Sequence, residues 1–413
     1  MRQRYMAAAA VVVSSLVGTV WGQAVLGPAT RPVMAADAPA TAPATAPAAE
    51  DRPLMAWLTS IGVAQPLKDY SINIYGFIEN SYTYNFAGAN KSNFGRVFDQ
   101  QSNQFLMNQL DLTVERVVNV TKDKWDIGGR MEWIYGADSR FIHSNGLFDH
   151  ETDEYQVDLN QAYLDVAVPV GNGLRVRVGK IVTLLGYETI NPTSNPFYSH
   201  SYLFGFAIPF THTGVMGTYQ INDNWLVEGG IFRGWEQSID DNNGSISYHL
   251  KLGYTSTDKK LSGIVQAVTG PEAMDDNEDY RTVFDFQLSY AFTDKFTLAA
   301  NADFGWESSA APDGGTAYWY GIANYASYVL NDTCMLNGRA EWFRDEEGVR
   351  IGVAGNYYEV TLGTTITPFP NDRTLKNLVI RPEFRADFSG EPVFNDHGDH
   401  EMYTAAVDVI FKF

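Results

Sequence analysis

The stretch FDFQLSYAFTDKFTLAANADFGW, residues 284–306, decides the fold. Apolar residues stand at every second position over 284–292 and again over 296–306, on either side of the polar turn Thr293–Lys295. A period of two is that of a β-strand, in which successive side chains point to opposite faces. The stretch therefore predicts two long antiparallel strands, joined by a short turn, each with one apolar and one polar face.

The length of the strands separates a membrane barrel from a soluble sheet. Three pairs of aromatic residues stand ten positions apart on one strand face: Trp125 and Tyr135, Trp225 and Trp235, and Phe296 and Trp306. Ten residues at ~3.3 Å each span ~33 Å. A strand tilt of ~40° leaves ~25 Å along the membrane normal, the height of the apolar band between the two aromatic girdles of an outer-membrane barrel. The alternative interpretation is ordinary aromatic packing between neighbouring strands.

The same alternation continues from about residue 70 to the C-terminus, and the connections alternate in length. Short polar turns separate longer loops at about 87–102, 137–154, 188–212, 237–244, 270–280, 307–316, 345–355 and 389–400. Short turns at one end and long loops at the other are typical of outer-membrane barrels. The sequence therefore predicts an all-β, transmembrane, antiparallel up-and-down barrel of about sixteen strands over residues 70–413. Fourteen strands is the alternative, because the segment at about 261–269 is weakly patterned.

The residues before the barrel follow another pattern. Two arginines and an apolar stretch near the N-terminus predict a cleaved secretory signal peptide over 1–27, with an uncleaved membrane anchor as the alternative. An Ala/Pro/Thr-rich periplasmic leader is predicted over 28–69, disordered because it is too poor in apolar residues to bury a core. One short helix over 54–62 is left open, as a segment that contacts the membrane surface or plugs the pore.

Composition excludes several classes of protein. The formal net charge of −20 excludes nucleic-acid binding through bulk charge. Cys334 is the only cysteine, so no intrachain disulfide can form. No later run reaches the ~18 apolar residues that a transmembrane helix needs. The chain ends in an apolar strand closed by Phe413, which resembles the C-terminal strand that outer-membrane proteins present to the barrel-assembly machinery.

Several motifs carry a family resemblance. They are Gly186-Tyr187-Glu188, Asn195-Pro196-Phe197-Tyr198-Ser199, Pro209-Phe210-Thr211-His212-Thr213-Gly214, the segment from Gly229 to Trp235, and the stretches Tyr75–Phe86 and Leu159–Gly171. With them the chain resembles a family of bacterial outer-membrane β-barrel porins over about 70–413. The resemblance implies a barrel porin, carries no catalytic residues, and names no solute.

Charged residues on the polar strand faces are predicted to line the pore, where water and solutes would meet them. An Arg or Lys on the lipid face near mid-bilayer would cost about 2–4 kcal/mol, which favours the inward assignment. The predicted pore-lining residues are Arg130, Glu132, Arg175, Arg177, Arg339, Glu341, Arg381, Glu383, Arg385 and Asp387. Their alternative role is pairing across strands to hold the wall. Pro382 lacks a ladder donor, so a bulge there would shift the phase of its strand.

The longest well-patterned loop, 188–212, is predicted to form a constriction or mouth loop. Its richness in Phe, Tyr and Pro fits a segment that folds into the barrel, and a cap packed over the mouth is equally compatible. The residues concerned are Glu188, Asn195, Phe197, Tyr198, His200 and His212.

These patterns predict a porin in the outer membrane of a diderm bacterium, through which small hydrophilic solutes diffuse passively. No catalytic residue, cofactor or metal is predicted, because Asp275–Asp279 and Asp396–Glu401 lack defined ligand spacing and favour solvated acidic loops. Lipid, lipopolysaccharide and the assembly machinery are the expected partners, and a homo-oligomer is left open. The alternatives are a secreted β-rich carbohydrate-binding or hydrolytic protein with an inward apolar face, and a non-conducting barrel or barrel enzyme.

Overall fold

The computed structural model describes residues 52–88, 92–149 and 153–413. The predicted signal peptide and most of the predicted leader lie outside the described residues. The strands are β1 Asn73–Asn85, β2 Phe105–Arg116, β3 Asp126–Gly136, β4 Gln156–Val168, β5 Leu174–Val182, β6 Thr211–Gln220, β7 Trp225–Phe232, β8 Ser247–Thr255, β9 Leu261–Pro271, β10 Tyr280–Ala291, β11 Phe296–Glu307, β12 Ala317–Asn331, β13 Cys334–Asp345, β14 Gly355–Ile366, β15 Leu378–Ser389 and β16 Glu401–Lys412.

The sheet closes on itself. Each strand pairs antiparallel with its neighbours in the chain, and β1 pairs with β16. Closure removes the open edges of the sheet, so that the backbone polar groups of the wall bond to one another rather than facing hydrocarbon. The predicted antiparallel up-and-down barrel of about sixteen strands is confirmed. The fourteen-strand alternative is wrong, because the weakly patterned segment forms β9 and pairs with both β8 and β10.

The two faces of the wall differ in polarity. On β10, Phe284, Phe286 and Leu288 are exposed on the outside, whereas Asp285 and Gln287 are buried inside. An apolar exterior with a polar interior is the pattern of a membrane barrel. It is the reverse of the inward apolar face that the alternative of a secreted soluble protein requires.

One of the aromatic pairs used to measure strand length is wrong. Trp225 opens β7, but the strand ends at Phe232 and Trp235 lies in the following loop, where it is only 3% exposed. Gly234 between them has a φ of 138°, which other residues rarely adopt. The chain therefore turns inward before the second girdle is reached.

The connections separate the barrel into two ends. Eight loops, L1 to L8, lie at what is called here the loop end and span 86–104, 137–155, 183–210, 233–246, 272–279, 308–316, 346–354 and 390–400. Seven turns lie at the turn end and span 117–125, 169–173, 221–224, 256–260, 292–295, 332–333 and 367–377. L3 is the longest, and it begins five residues earlier and ends two residues earlier than the loop predicted from the sequence.

The ladder between β15 and β16 is continuous across Pro382, whereas the ladder between β14 and β15 has a gap from Gly363↔Glu383 to Ile366↔Ile380 without a change of register. Pro382 pairs with Val407 of β16 with no register shift on either side, and its ring is exposed on the outward face. The phase of the strand is therefore unbroken, and Arg381, Glu383 and Arg385 all face inward as its buried residues.

Two short helices, α1 Pro53–Ser60 and α2 Ala64–Asp69, precede the barrel at the turn end. Met55 is fully buried, and its Sδ lies 3.4 Å from the backbone N of Ile74. The Arg52 guanidinium lies over the ring of Tyr75, 3.5 Å from its centroid. Trp57 remains 57% exposed. A third helix, α3 Phe394–His397, lies in L8, and no helix among the described residues is long and apolar enough to cross a membrane.

Candidate constriction inside the barrel

L3 folds into the barrel rather than over its mouth. Tyr202, Leu203 and Ala207 at its centre are completely buried. Its polar backbone bonds to strands on several sides of the lumen: Gln266 of β9 donates to the carbonyl of Leu184 (2.6 Å), and Trp319 of β12 donates through Nε1 to that of Ala207 (3.0 Å). L3 therefore crosses the interior and is anchored to the wall.

Arg339 on β13 is the central anchor. Its Nη1 lies 2.6 Å from Glu188 of L3, and its Nε lies 2.6 Å from Glu359 of β14. Nη1 also donates to the carbonyl of Ser199 (2.7 Å), and Nη2 donates to the hydroxyls of Ser199 (3.2 Å) and Thr361 (3.3 Å). All five N–H donors of the guanidinium are thus used, which is how a buried arginine is stabilised.

Two arginines of β15 hold the same loop by its carbonyls. Arg381 donates through Nη1 to the carbonyls of Pro192 (2.8 Å) and Asn195 (2.7 Å), while its other nitrogens pair with Asp408 and Glu79. Arg385 donates to the carbonyl of His200 at 2.5 Å. The guanidinium of Arg385 is neutralised by Asp387, 2.7 Å from its Nη2.

Two glutamates hold the loop by its amides. Both oxygens of Glu341 accept from L3, from the N–H of Tyr202 and that of Leu203, each at 2.7 Å. Both oxygens of Glu383 accept likewise, from the N–H of Tyr198 (2.9 Å) and that of Ser199 (3.2 Å). Backbone N–H bonds to both oxygens favour the charged form of a carboxyl group.

His200 is buried among aromatic rings. It stacks on Phe204 with ring centroids 4.2 Å apart and meets Phe98 edge-on at 5.0 Å. Its Nε2 lies 3.0 Å from the amide nitrogen of Asn195. Burial lowers the pKa of His200 to about 4, so the imidazole is neutral at pH 7.

Glu188 balances the charge of the loop. Burial raises the pKa of its carboxyl, but the Arg339 guanidinium and the N–H of Ser201 together with the other nearby groups offset this and hold the pKa below its usual value. The second oxygen of Glu188 accepts from the N–H of Ser201 at 2.7 Å. The carboxylate therefore bridges the wall and the loop while remaining charged.

The remaining predicted loop residues also lie inside. Phe197 is buried beneath Arg339, whose guanidinium carbon lies 5.2 Å from the ring centroid. The Tyr198 hydroxyl accepts from the amide of Asn108 on β2 at 3.1 Å. His212 lies in β6, two residues beyond L3, with Nδ1 3.3 Å from the carbonyl of Gly234.

The predicted pore-lining residues of β3 and β5 form a separate group. Arg130 lies 2.7 Å from Glu115 and 3.4 Å from Glu132, and 21% of its side chain is exposed. Arg177 pairs with Asp165 at 2.8 Å and lies over the ring of Tyr163. The ion pairs of these two arginines thus join neighbouring strands of the wall.

Arg175 lines a cavity with a volume of about 310 Å³, together with residues of the turns around Asn172 and Asn222. The Nη2 of Arg175 donates to Thr218 at 3.2 Å, while its Nε is buried without a partner.

Sequence reasoning did not single out several anchors. Arg96 of L1 reaches into the lumen, where its Nη2 lies 2.5 Å from Asp387, and it also pairs with Asp99. Asp285 of β10 accepts from the N–H of Gly186 at 3.2 Å, and from amides of its own wall. The two-residue alternation marks Asp285 as inward, and no sequence signal relates Arg96 to a strand 291 positions away.

Comparison with known proteins identifies the family of this chain. The family model described as "Putative beta-barrel porin-2, OmpL-like" matches residues 71–413. The chain belongs to this family of porins. Family and fold point to a channel of the bacterial outer membrane rather than an enzyme. No curated protein matches the sequence.

Solved structures give the same fold at low sequence identity. The outer membrane channel DcaP of Acinetobacter baumannii is 12% identical, with a TM-score of 0.56, and the match covers 83% of this chain and 97% of that one. The anion-selective porin from Comamonas acidovorans is 10% identical, with a TM-score of 0.57 and coverage of 83% and 99%. The trimer form of OmpT from Vibrio cholerae is 12% identical, with a TM-score of 0.53 and the same coverage. At sequence identities this low, the similarity shows that the three porins share the fold of this chain.

Proposed function

We propose that this porin lets small hydrophilic solutes diffuse passively across the outer membrane, and that L3 sets the width of their path. A polar lumen removes the cost of taking an ion or sugar through hydrocarbon. The observation that carries the proposal is a polar barrel interior crossed by a loop that is fixed by buried charges. The ten predicted pore-lining residues divide between β13 and β15, whose side chains bind L3, and β3 and β5, whose charged side chains bond to neighbouring strands.

The anchors supply the reason for a defined width. Glu341 and Glu383 each accept hydrogen bonds from a pair of adjacent L3 amides, Tyr202 with Leu203 and Tyr198 with Ser199. Hydrogen bonds to charged groups contribute about 1.5–3 kcal/mol each, so the loop has little freedom to leave the wall. A fixed loop gives a fixed aperture.

The test is conductance of the purified full-length protein in planar bilayers. We expect discrete conductance steps from the native chain. The double variant E341Q/E383Q weakens four anchoring bonds and is expected to give larger or fluctuating steps. E278Q/E347Q, which changes two glutamates of L5 and L7, is the matched control and should give conductance steps as steady as those of the native chain.

The alternatives give different outcomes. A closed barrel that never conducts, although it shows the heat-dependent gel migration of a folded barrel, would contradict the channel function and leave the fold unaffected. Lipase or protease activity of that non-conducting protein would favour a barrel enzyme.

We also propose that export by a cleaved signal peptide and insertion by the barrel-assembly machinery bring the chain to a membrane that contains lipopolysaccharide. N-terminal sequencing of the mature protein tests the first step, and a chain beginning at Met1 would contradict it. Deletion of Phe413 tests the second, through loss of the heat-resistant barrel from the outer membrane.

Association of this porin with further copies of itself is the last part of the proposal. Asn324 stands on the exposed outward face at the centre of β12, four residues from Tyr320 and four from Tyr328, hence ~10 Å from each girdle. Its register partners Ala300 and Ala340 are small, and its side chain has no hydrogen bond within the described chain. Hydrocarbon offers an amide no partner, whereas a second Asn324 offers both a donor and an acceptor.

Native mass spectrometry in detergent tests this contact. N324L is expected to lower the oligomer fraction, while I322L, on the same outward face, should leave it unchanged. An unchanged fraction in N324L would contradict this interface.

A further inference from the structure

The two ends of the barrel carry very different charge. In the described parts of the eight loops, 20 residues are Asp or Glu and 4 are basic, a net of −16 (20 against 4). The basic residues are Arg96, Arg140, Arg233 and Arg350. The seven turns hold 6 acidic and 7 basic residues, a net of +1. The loop end is therefore strongly acidic and the turn end is balanced.

The buried interior has the same bias. Among the described residues, 19 buried side chains are carboxylic acids and 7 are basic. The basic ones are Arg96, Arg177, Lys180, Lys251, Arg339, Arg381 and Arg385. Each of them lies within 4.0 Å of a carboxylate, with Lys180 the most distant from its partner at 3.6 Å. The positive charge of the interior is thus neutralised within the wall.

Several carboxylates have no such compensation. Glu341 and Glu383 are held by backbone amides on both oxygens, and Asp285 by neutral amides of the loop and wall. Neutral donors stabilise a carboxylate but leave its charge in place, so net negative charge remains beside L3.

We infer that this porin selects for small cations over anions of similar size. The inference rests on the proposed channel function and adds the sign of its selectivity. An acidic mouth raises the local concentration of cations, and uncompensated carboxylates beside the constriction lower the energy of a cation there. The seven buried basic residues do not reverse this, because each lies beside a carboxylate. Arg175, which donates to the neutral Thr218, lies beside the turns around Asn172 and Asn222 and not beside the constriction.

The test is the zero-current potential of the purified full-length protein in a planar bilayer with a KCl gradient. We expect a potential of the sign given by K⁺ permeating faster than Cl⁻. The preference should weaken as salt rises from 0.1 M towards 1 M, because the Debye length falls from about 10 Å to about 3 Å.

Two variants with equal charge changes locate the effect. D275N/D276N/E278Q/D279N neutralises four carboxylates of L5, and we expect the K⁺/Cl⁻ permeability ratio to fall by about twofold. D223N/D258N/D294N/D332N neutralises four at the turn end, where basic residues balance them, and should change the ratio less. Heat-dependent gel migration verifies that both variants fold.

The outcomes are separable. Conductance with no ionic preference, or with a preference for Cl⁻, would overturn the inference and leave the channel function standing. Equal loss of preference in the two variants would also overturn it, since the loop end would then have no special role. A barrel that folds and never conducts would defeat both proposals.

Discussion

Arg339 of β13 and Arg130 of β3 both point into the barrel, but their surroundings differ. The side chain of Arg339 is 0% exposed and all five of its donors are used by wall and loop. That of Arg130 is 21% exposed and bonds mainly to Glu115 and the Tyr75 hydroxyl. The first is a structural anchor, while the second has its charge in contact with water.

The difference follows from where L3 lies. A loop folded into a lumen brings buried backbone N–H and C=O groups, each of which needs a partner. The wall around L3 supplies arginines for the carbonyls and glutamates for the amides. The charged residues of β3 and β5 instead pair with charged residues of neighbouring strands, as Arg130 does with Glu115 and Arg177 with Asp165. Identical residue types on the inward faces of different strands thus have different roles.

Removal of Arg339 should give the largest effect. R339M leaves Glu188 and Glu359 buried without their cation, which typically costs about 3–5 kcal/mol. We expect the temperature at which the barrel unfolds in gel-migration assays to fall sharply. R339K restores the charge without the five donors and should lie between R339M and the native chain. Native-like unfolding of R339M would show that the loop is not anchored here.

Acid should weaken the loop through His200. The pKa of this imidazole in the folded chain is about 4, below the value of ~6.5 for an unperturbed histidine. A lowered pKa means that the unfolded segment takes up the proton first, so stability is complete above pH ~6.5 and is lost as pH falls towards 4. The loss is about 1.4 kcal/mol per pH unit, or about 3 kcal/mol over the range.

Hydrogen exchange of L3 amides as a function of pH measures this loss. H200F keeps a ring in the aromatic pocket and cannot titrate, so its protection should depend less on pH than that of the native chain. Identical pH dependence in the two proteins would assign the acid effect to other groups.

Each glutamate should protect its own pair of amides. E341Q replaces one charged acceptor by an amide nitrogen, so the exchange of Tyr202 and Leu203 should accelerate. The cost is about 1.5–3 kcal/mol, which is roughly ten- to hundredfold in exchange rate. E383Q should act in the same way on Tyr198 and Ser199. If each variant loosened all four amides equally, L3 would move as one unit rather than being held at two separate points.

Much of this fold could be predicted from the sequence, because it depends on local rules. The alternation of residues such as Phe284 and Asp285 specifies strand and face together, and connection lengths specify the two ends. The same rules failed at Trp235, where a glycine-containing segment takes the chain off the strand. Counting alternate positions along a strand does not detect a turn that places the next aromatic ring inside the barrel.

The anchoring of L3 could not be predicted in the same way. The alternation of side chains along a strand assigns Arg339 and Arg130 equally to the lumen. It does not indicate which part of the chain fills the lumen around each of them. The partners of Arg339 include Ser199, 140 positions away, and those of Arg381 include Pro192, 189 positions away. Such pairings depend on the closure of the barrel, which one sequence does not specify pair by pair.

Substitution of Arg130 should have the smallest effect on the stability of the barrel. R130Q removes a partly solvated ion pair, and pairs of this kind are worth about 0–1 kcal/mol. Unfolding in gel-migration assays should stay close to that of the native chain, and hydrogen exchange of L3 should not change, since the ion pair of Arg130 with Glu115 joins two strands of the wall. R130K, which keeps the charge beside Glu115, controls for the loss of the planar guanidinium. If R130Q instead destabilised the barrel as strongly as R339M, the wall around Arg130 would also be held together by its arginine. A loss of that size is expected only where the partner carboxylate is left buried and unpaired.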